Sequence, residues 1–119
     1  MLIQILSADF HFEDERGTLT QLVHDGYKQI NVISTRKGVQ RGGHYHRLNC
    51  EAFYILEGRV EFTARKAGKS ESRVFGPGDF FGIGPDVSHD FLFIEDTVLV
   101  SMYDQGVELT DGTKDIIVG

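Results

Sequence analysis

The residues with most capacity for chemistry lie between Gly38 and Gly58. His44 and His46 stand two residues apart. On a strand, alternate side chains share a face, so both imidazoles are expected on one side. Glu51 follows five residues later, the wrong parity for the same straight strand. Arg47-Leu48-Asn49-Cys50 must therefore turn or bend the chain, so that Glu51 opens the next antiparallel strand. That turn would bring a carboxylate beside two imidazoles. Two imidazoles and one carboxylate with open positions form a common divalent-metal constellation. A His-x-His pair by itself is more often a surface or hydrogen-bonded pair. Here it stands with Glu51, bracketing glycines and a later His89, and the combination is far more specific.

These residues need elements to position them, and the chain reads as strands throughout. Leu2–Leu6 is a short first strand, and Phe12–Gly17 a charged turn. Thr18–Val23 alternates apolar and polar residues, the pattern of a half-buried strand. Tyr27–Thr35 is another strand, and Arg36-Lys37-Gly38 turns into the central stretch. Glu51–Leu56 is apolar and aromatic, Glu57-Gly58-Arg59 makes a tight hairpin, and Val60–Ala64 returns with clean alternation. Lys66–Ser72 reads as a polar loop and Arg73–Phe75 as a short strand. Phe80–Ile83 lies between the turns Gly76–Asp79 and Gly84–Asp86. His89–Ile94 and Thr97–Tyr103 form a pair, and Ile116–Val118 is a last strand after an Asp111-Gly112 turn. No helix longer than about two turns is expected. Short strands about every 8 to 12 residues indicate an all-β sandwich or barrel.

Composition narrows the function classes. The 119 residues are one domain, long enough for a proper core. Apolar content of 40% and charged content of 25% are ordinary for a globular protein. A net charge of −6 argues against generic binding to nucleic acid or anionic membranes. No apolar run approaches the roughly 18 residues of a membrane span, and Met1–Leu6 lacks the basic start of a signal peptide. Cys50 is the only cysteine, so no intramolecular disulfide forms and a reducing cytoplasm is the expected location.

The central stretch resembles the first motif of the cupin superfamily, G-x5-H-x-H-x4-E-x6-G, at Gly38, His44, His46, Glu51 and Gly58. The second motif, G-x5-P-x-G-x2-H-x3-N, is matched in part. Gly78 and His89 fall in place, whereas Gly84, Asp86 and Phe93 stand where Pro, Gly and Asn are usual. The resemblance implies an all-β, single-domain jelly roll or small β-barrel. It also implies that His44, His46, Glu51 and His89 point inward as ligands of one divalent ion, Zn, Ni, Mn or Fe.

A narrower resemblance rests on Glu13-Asp14-Glu15-Arg16-Gly17-Thr18-Leu19, Gln29–Ile33 and Lys37–His46. These stretches are similar to the nucleotide-sugar branch of cupins. That branch holds the dTDP-4-dehydrorhamnose 3,5-epimerases, the dTDP-sugar 3,4-ketoisomerases and the cupin domain of bifunctional capsular-polysaccharide enzymes. The implied activity is epimerisation or isomerisation of a 4-keto nucleotide sugar in cell-surface polysaccharide synthesis. Such chemistry needs a base for the proton beside the ketone, a group to hold the developing enolate oxygen, and an acid to return a proton. By the resemblance, His44 stands at the base and Tyr103 near the proton-donor tyrosine, while Arg16 and Arg41 hold the diphosphate. Tyr103 reads equally as a core aromatic, and either arginine as a solvated one. A metal-bound His44 is no longer free to accept a proton, so metal and base are in conflict at that residue. A metal-dependent Fe oxygenase and a noncatalytic sugar- or metal-binding cupin stay open as alternatives. A homodimer is expected, because Leu2–Leu6 is a bare edge strand and Tyr54 and Leu56 are outer-face residues that need cover.

Overall fold

A computed structural model describes residues 1–119. It contains twelve strands and no helix. They are β1 (Gln4–Ile5), β2 (Phe10–Asp14), β3 (Gly17–Gln21), β4 (Gln29–Thr35), β5 (Gln40–Tyr45) and β6 (Glu51–Glu57). After them come β7 (Val60–Lys66), β8 (Lys69–Phe75), β9 (Phe80–Ile83), β10 (Ser88–Phe93), β11 (Thr97–Tyr103) and β12 (Ile117–Val118). Two five-stranded sheets face each other. The front sheet runs β1-β9-β6-β11-β4, and the back sheet β12-β5-β10-β7-β8. The hairpin β2–β3 pairs only with itself. This is the expected jelly roll.

Alternation decides what lies between the sheets. Phe53 and Ile55 on β6, Val60, Phe62 and Ala64 on β7, and Phe91 and Phe93 on β10 are buried. With Phe75, Phe81, Ile83 and Leu99 they form one cluster. Each fully buried large side chain contributes about 1.5–3 kcal/mol. At one end of the sandwich the inward rows stop being apolar. β6 begins at Glu51, β10 carries His89 near its start, β5 ends just past His44, and β11 ends at Tyr103. Register sets Glu51 opposite Tyr103, and His89 opposite His44. The polar ends of four strands therefore meet at one place.

The sequence reading differs from the structure in two stretches. Lys69–Ser72 is part of β8 rather than a loop, and the turn is confined to Ala67-Gly68. Phe12–Asp14 belongs to strand β2, leaving only Glu15-Arg16 as turn. The turn at Arg47–Cys50 is present, and it carries the chain from the back sheet to the front one.

Candidate active site

His44 owes its direction to a bulge. In the pairing of β10 with β5, Phe91 faces Arg41 and Asp90 faces Gly42, but His89 faces His44. Gly43 is thus an extra residue in β5. It restores parity, so that Arg41 and His44 both point inward although they are three residues apart. Gly42 and Gly43 have φ of +121° and +74°. A Cβ on Gly42 would lie 2.4 Å from the His89 carbonyl oxygen. Only glycine satisfies both demands there.

His44, His46 and His89 each offer a nitrogen within 4.8 Å of the others. Their ring centroids lie 4.7–5.4 Å apart. Glu51 Oε1 stands 3.0 Å from His46 Nε2 and 3.4 Å from His89 Nε2. The Ser101 hydroxyl donates to Glu51 Oε2 at 2.5 Å. The remaining ring nitrogens are held from behind. His46 Nδ1 lies 2.6 Å from the Asp115 carbonyl oxygen, and His89 Nδ1 3.2 Å from that of Val87. A carbonyl only accepts, so Nδ1 carries the hydrogen in both rings. Both Nε2 atoms then face one carboxylate oxygen.

The electrostatics follow from that arrangement. Burial raises the Glu51 carboxyl, but hydrogen bonds from His46, His89 and Ser101 overcome it and hold the group at about 2. Burial lowers His46, yet the Glu51 carboxylate and the Asp115 carbonyl leave it above its ordinary value. His44 is lowered by burial and by the two neighbouring imidazoles, which favours its neutral form. Burial raises the Tyr103 hydroxyl, and Glu51 raises it further, so Tyr103 keeps its proton. A proton between His46 Nε2 and the carboxylate satisfies both partners. Three imidazoles with mutually close donor atoms, two of them with Nδ1 hydrogens committed to backbone carbonyls, are a donor set that fits a divalent ion, and the Glu51 carboxylate stands beside two of them.

A cleft of about 380 Å³ opens onto this cluster. Its lining joins the polar side chains of Arg41, His44, Glu51, His89 and Tyr103 to apolar ones, Phe53, Phe91 and Phe93 among them. His44 comes from the back sheet and Tyr103 from the front one. The Tyr103 ring meets His46 edge to face at 5.1 Å. Arg41 donates Nε to the Thr35 hydroxyl at 2.9 Å.

The structure thus brings together His44, His46, Glu51, His89, Tyr103 and Arg41. It does not bring Arg16 to them. Arg16 sits on the β2–β3 hairpin, paired with Asp14 at 2.6 Å, and lines a separate depression with Phe12 and Leu19. His11 and His24 are exposed and lie outside this cluster. Sequence reasoning missed Ser101, which the alternation Leu99-Ser101-Tyr103 places on the inner face of β11. It also missed Asp115, for which no spacing signal exists.

A family model described as the polysaccharide biosynthesis C-terminal domain matches residues 12–78. That range includes His44, His46 and Glu51 but not His89 or Tyr103. Over 53 residues the chain is 34% identical to a UDP-2-acetamido-2,6-beta-L-arabino-hexul-4-ose reductase of Pseudomonas aeruginosa. The match covers 44% of this chain and only 14% of that protein's length. Among solved structures, a 3,4-ketoisomerase from Helicobacter canadensis superposes with a TM-score of 0.83 at 20% identity, over 98% of this chain and 90% of that one. A 3,4-ketoisomerase mutant from Thermoanaerobacterium thermosaccharolyticum, in complex with TDP-4-keto-6-deoxyglucose, gives 0.77 at 20% identity over 98% and 86%. The dTDP-4-dehydrorhamnose 3,5-epimerase from Sulfolobus tokodaii gives 0.69 at 24% identity, over 78% of this chain and 65% of that chain. These likenesses share the two-sheet jelly-roll fold.

Proposed function

The chain belongs to the polysaccharide biosynthesis C-terminal domain family, and from that premise we propose that it is an epimerase or isomerase acting on a 4-keto nucleotide sugar. The observation that carries this reading is the pairing of His44 and Tyr103 on opposite walls of one cleft. Burial favours a neutral His44, which can accept a proton from the carbon beside a ketone. Tyr103 retains its proton and can return it from the other side. The ligands and substrates printed for relatives, TDP-4-keto-6-deoxyglucose and a UDP-linked hexul-4-ose, support a nucleoside diphosphate sugar as substrate. Arg41, at the cleft, suits its diphosphate in charge and fork geometry.

His44, His46, Glu51 and His89 are the residues that would hold a divalent ion. When bound, such an ion would supply a Lewis acid for the ketone oxygen. An ion that takes the His44 nitrogen removes that residue as base, so protein stripped of metal and protein loaded with it should differ in activity. The apolar side chains of Phe53, Phe91 and Phe93, which line the same cleft, exclude water from the carbon that loses its proton.

The test is deuterium wash-in. Protein incubated in D2O with a TDP- or UDP-linked 4-keto-6-deoxy sugar should place deuterium on a carbon next to the ketone. His44→Asn and Tyr103→Phe should slow this at least tenfold. No exchange above the buffer rate, with or without added Zn2+, would overturn the proposal.

A further inference from the structure

The C-terminal segment that follows β11 reaches back to the turn between His46 and Glu51. The Asp115 carboxylate accepts from the backbone N–H of Arg47 at 2.8 Å, of Leu48 at 2.9 Å and of Asn49 at 3.2 Å. The Asn49 side-chain amide adds a fourth bond at 2.8 Å. Asn49 Oδ1 in turn accepts from the N–H groups of Gln105 and Gly106. Asp115 is buried, and its carbonyl oxygen is the one that holds His46 Nδ1. One residue therefore fixes the turn through its side chain and the imidazole through its backbone.

We propose that Asp115 is the positioning residue for His46. It fixes the ring orientation and the Nδ1–H tautomer, so that Nε2 faces Glu51 and the cluster. The inference rests on the proposed role of His46 in the site, but it concerns a residue outside the matched span 12–78. A residue that served only to close the fold would need the four donors and not the carbonyl contact. The second contact ties the segment to site chemistry. Outer partners of this kind commonly change metal affinity by about 10- to 100-fold when removed.

The experiment compares wild-type protein with Asp115→Asn, which keeps shape but replaces an acceptor-only group with an amide. Metal-free Asp115→Asn is expected to keep the β-sheet circular dichroism and to lose the slowly exchanging His46 Nδ1–H signal in NMR. The corresponding His89 signal should remain, because Val87 holds it. Affinity for Zn2+, measured by chelator competition, should fall about tenfold or more. Asp111→Asn, which alters an exposed acid in the same segment bonded only to Thr113, should change neither readout. Should Asp115→Asn fail to fold, Asn49→Ala removes one of the four donors and should give the same changes with smaller amplitude. A retained His46 Nδ1–H signal, with Zn2+ affinity within twofold of wild type in the folded variant, overturns the proposal. If wild-type protein binds no Zn2+, the metal part of the proposed function fails, and the His46 signal alone decides the role of Asp115.

Discussion

Glu51 is the one carboxylate inside the cluster, and two imidazoles and a hydroxyl converge on it. Glu51→Gln keeps the shape and removes the charge. Metal content after dialysis should drop by an order of magnitude or more. The fold should survive, because the amide can still bond to His46 and Ser101. Full metal retention would show that Glu51 is no ligand. The same variant tests the pH dependence of the metal-free protein. His46 is raised above its ordinary 6.5, so its contribution to stability is complete below that pH and is lost as pH rises through the raised value. Glu51 is lowered from 4.5 to about 2, so its contribution is complete above 4.5 and is lost as pH falls toward 2. His44, lowered, works against the pair below 6.5, but it is common to both proteins. The gap in melting temperature between wild type and Glu51→Gln should be widest between pH 4.5 and 6.5 and narrow above it. A gap that widens steadily from pH 6 to 9 would contradict the ion pair. Arg41 is tested separately. Arg41→Ala should weaken nucleotide-sugar binding by about 1.5–3 kcal/mol, the range for charge-assisted hydrogen bonds. Calorimetry on Arg16→Ala alongside decides whether the diphosphate contact belongs to Arg41 alone or to both.

At the scale of elements, the bulge in β5 governs the site. Gly42→Ala would drive a Cβ to 2.4 Å from the His89 carbonyl and 2.7 Å from Asp90 Cα. Both atoms are backbone, so the pairing of β5 with β10 must yield. A loss of about 2 kcal/mol or more is expected, together with loss of the His44–His89 approach. Thermal melts and metal content should fall together; an unchanged melt would mean that β5 can slide without harm. This bulge also marks where sequence reading stops. His44, His46 and Glu51 were legible because strand parity and a forced turn act locally. His89 was legible through a motif resemblance. The first part of β8 was not, because β8 is an edge strand with only Phe75 buried, so Lys69–Ser72 lacks an apolar row. Phe10–Asp14 was missed for a related reason: its hairpin covers no core, and the buried alternation that signals a strand is absent. Asp86 stands where a glycine is usual, and its φ of +67° explains the usual residue. Aspartate tolerates that conformation better than most side chains. Asp115 meets His46 across 69 positions of chain, a separation that leaves no periodic trace.

The two outer faces of the molecule differ in chemistry. The back sheet presents Glu61, Thr63, Arg65, Ser72 and Asp90, several of them bonded to one another. The front sheet presents Ile30 and Val32 on β4, beside Val100, Tyr54 and Leu56. Ile30 is 60% exposed and Val32 69%. Next to them, Leu6, Leu22, Val23 and Tyr27 cover only part of that face, and the hairpin shows Phe10, Phe12 and Leu19 to solvent. β4 also ends the front sheet with an unpaired edge. An apolar face beside an open edge is what a symmetric pair of chains would bury. The protein is therefore expected to sediment as a homodimer at micromolar concentration. Val32→Glu should convert it to a species near 13.4 kDa. Because Val32 contributes little to the core of its own chain, the variant's sheet signal should be unchanged. Its cleft residues lie on the inner faces, so Zn2+ binding should also persist. A wild-type protein that sediments near 13.4 kDa across the micromolar range would leave the apolar front face without this explanation. A dimer that survives Val32→Glu would move the contact from β4 to the hairpin, where Phe12→Glu is the corresponding test.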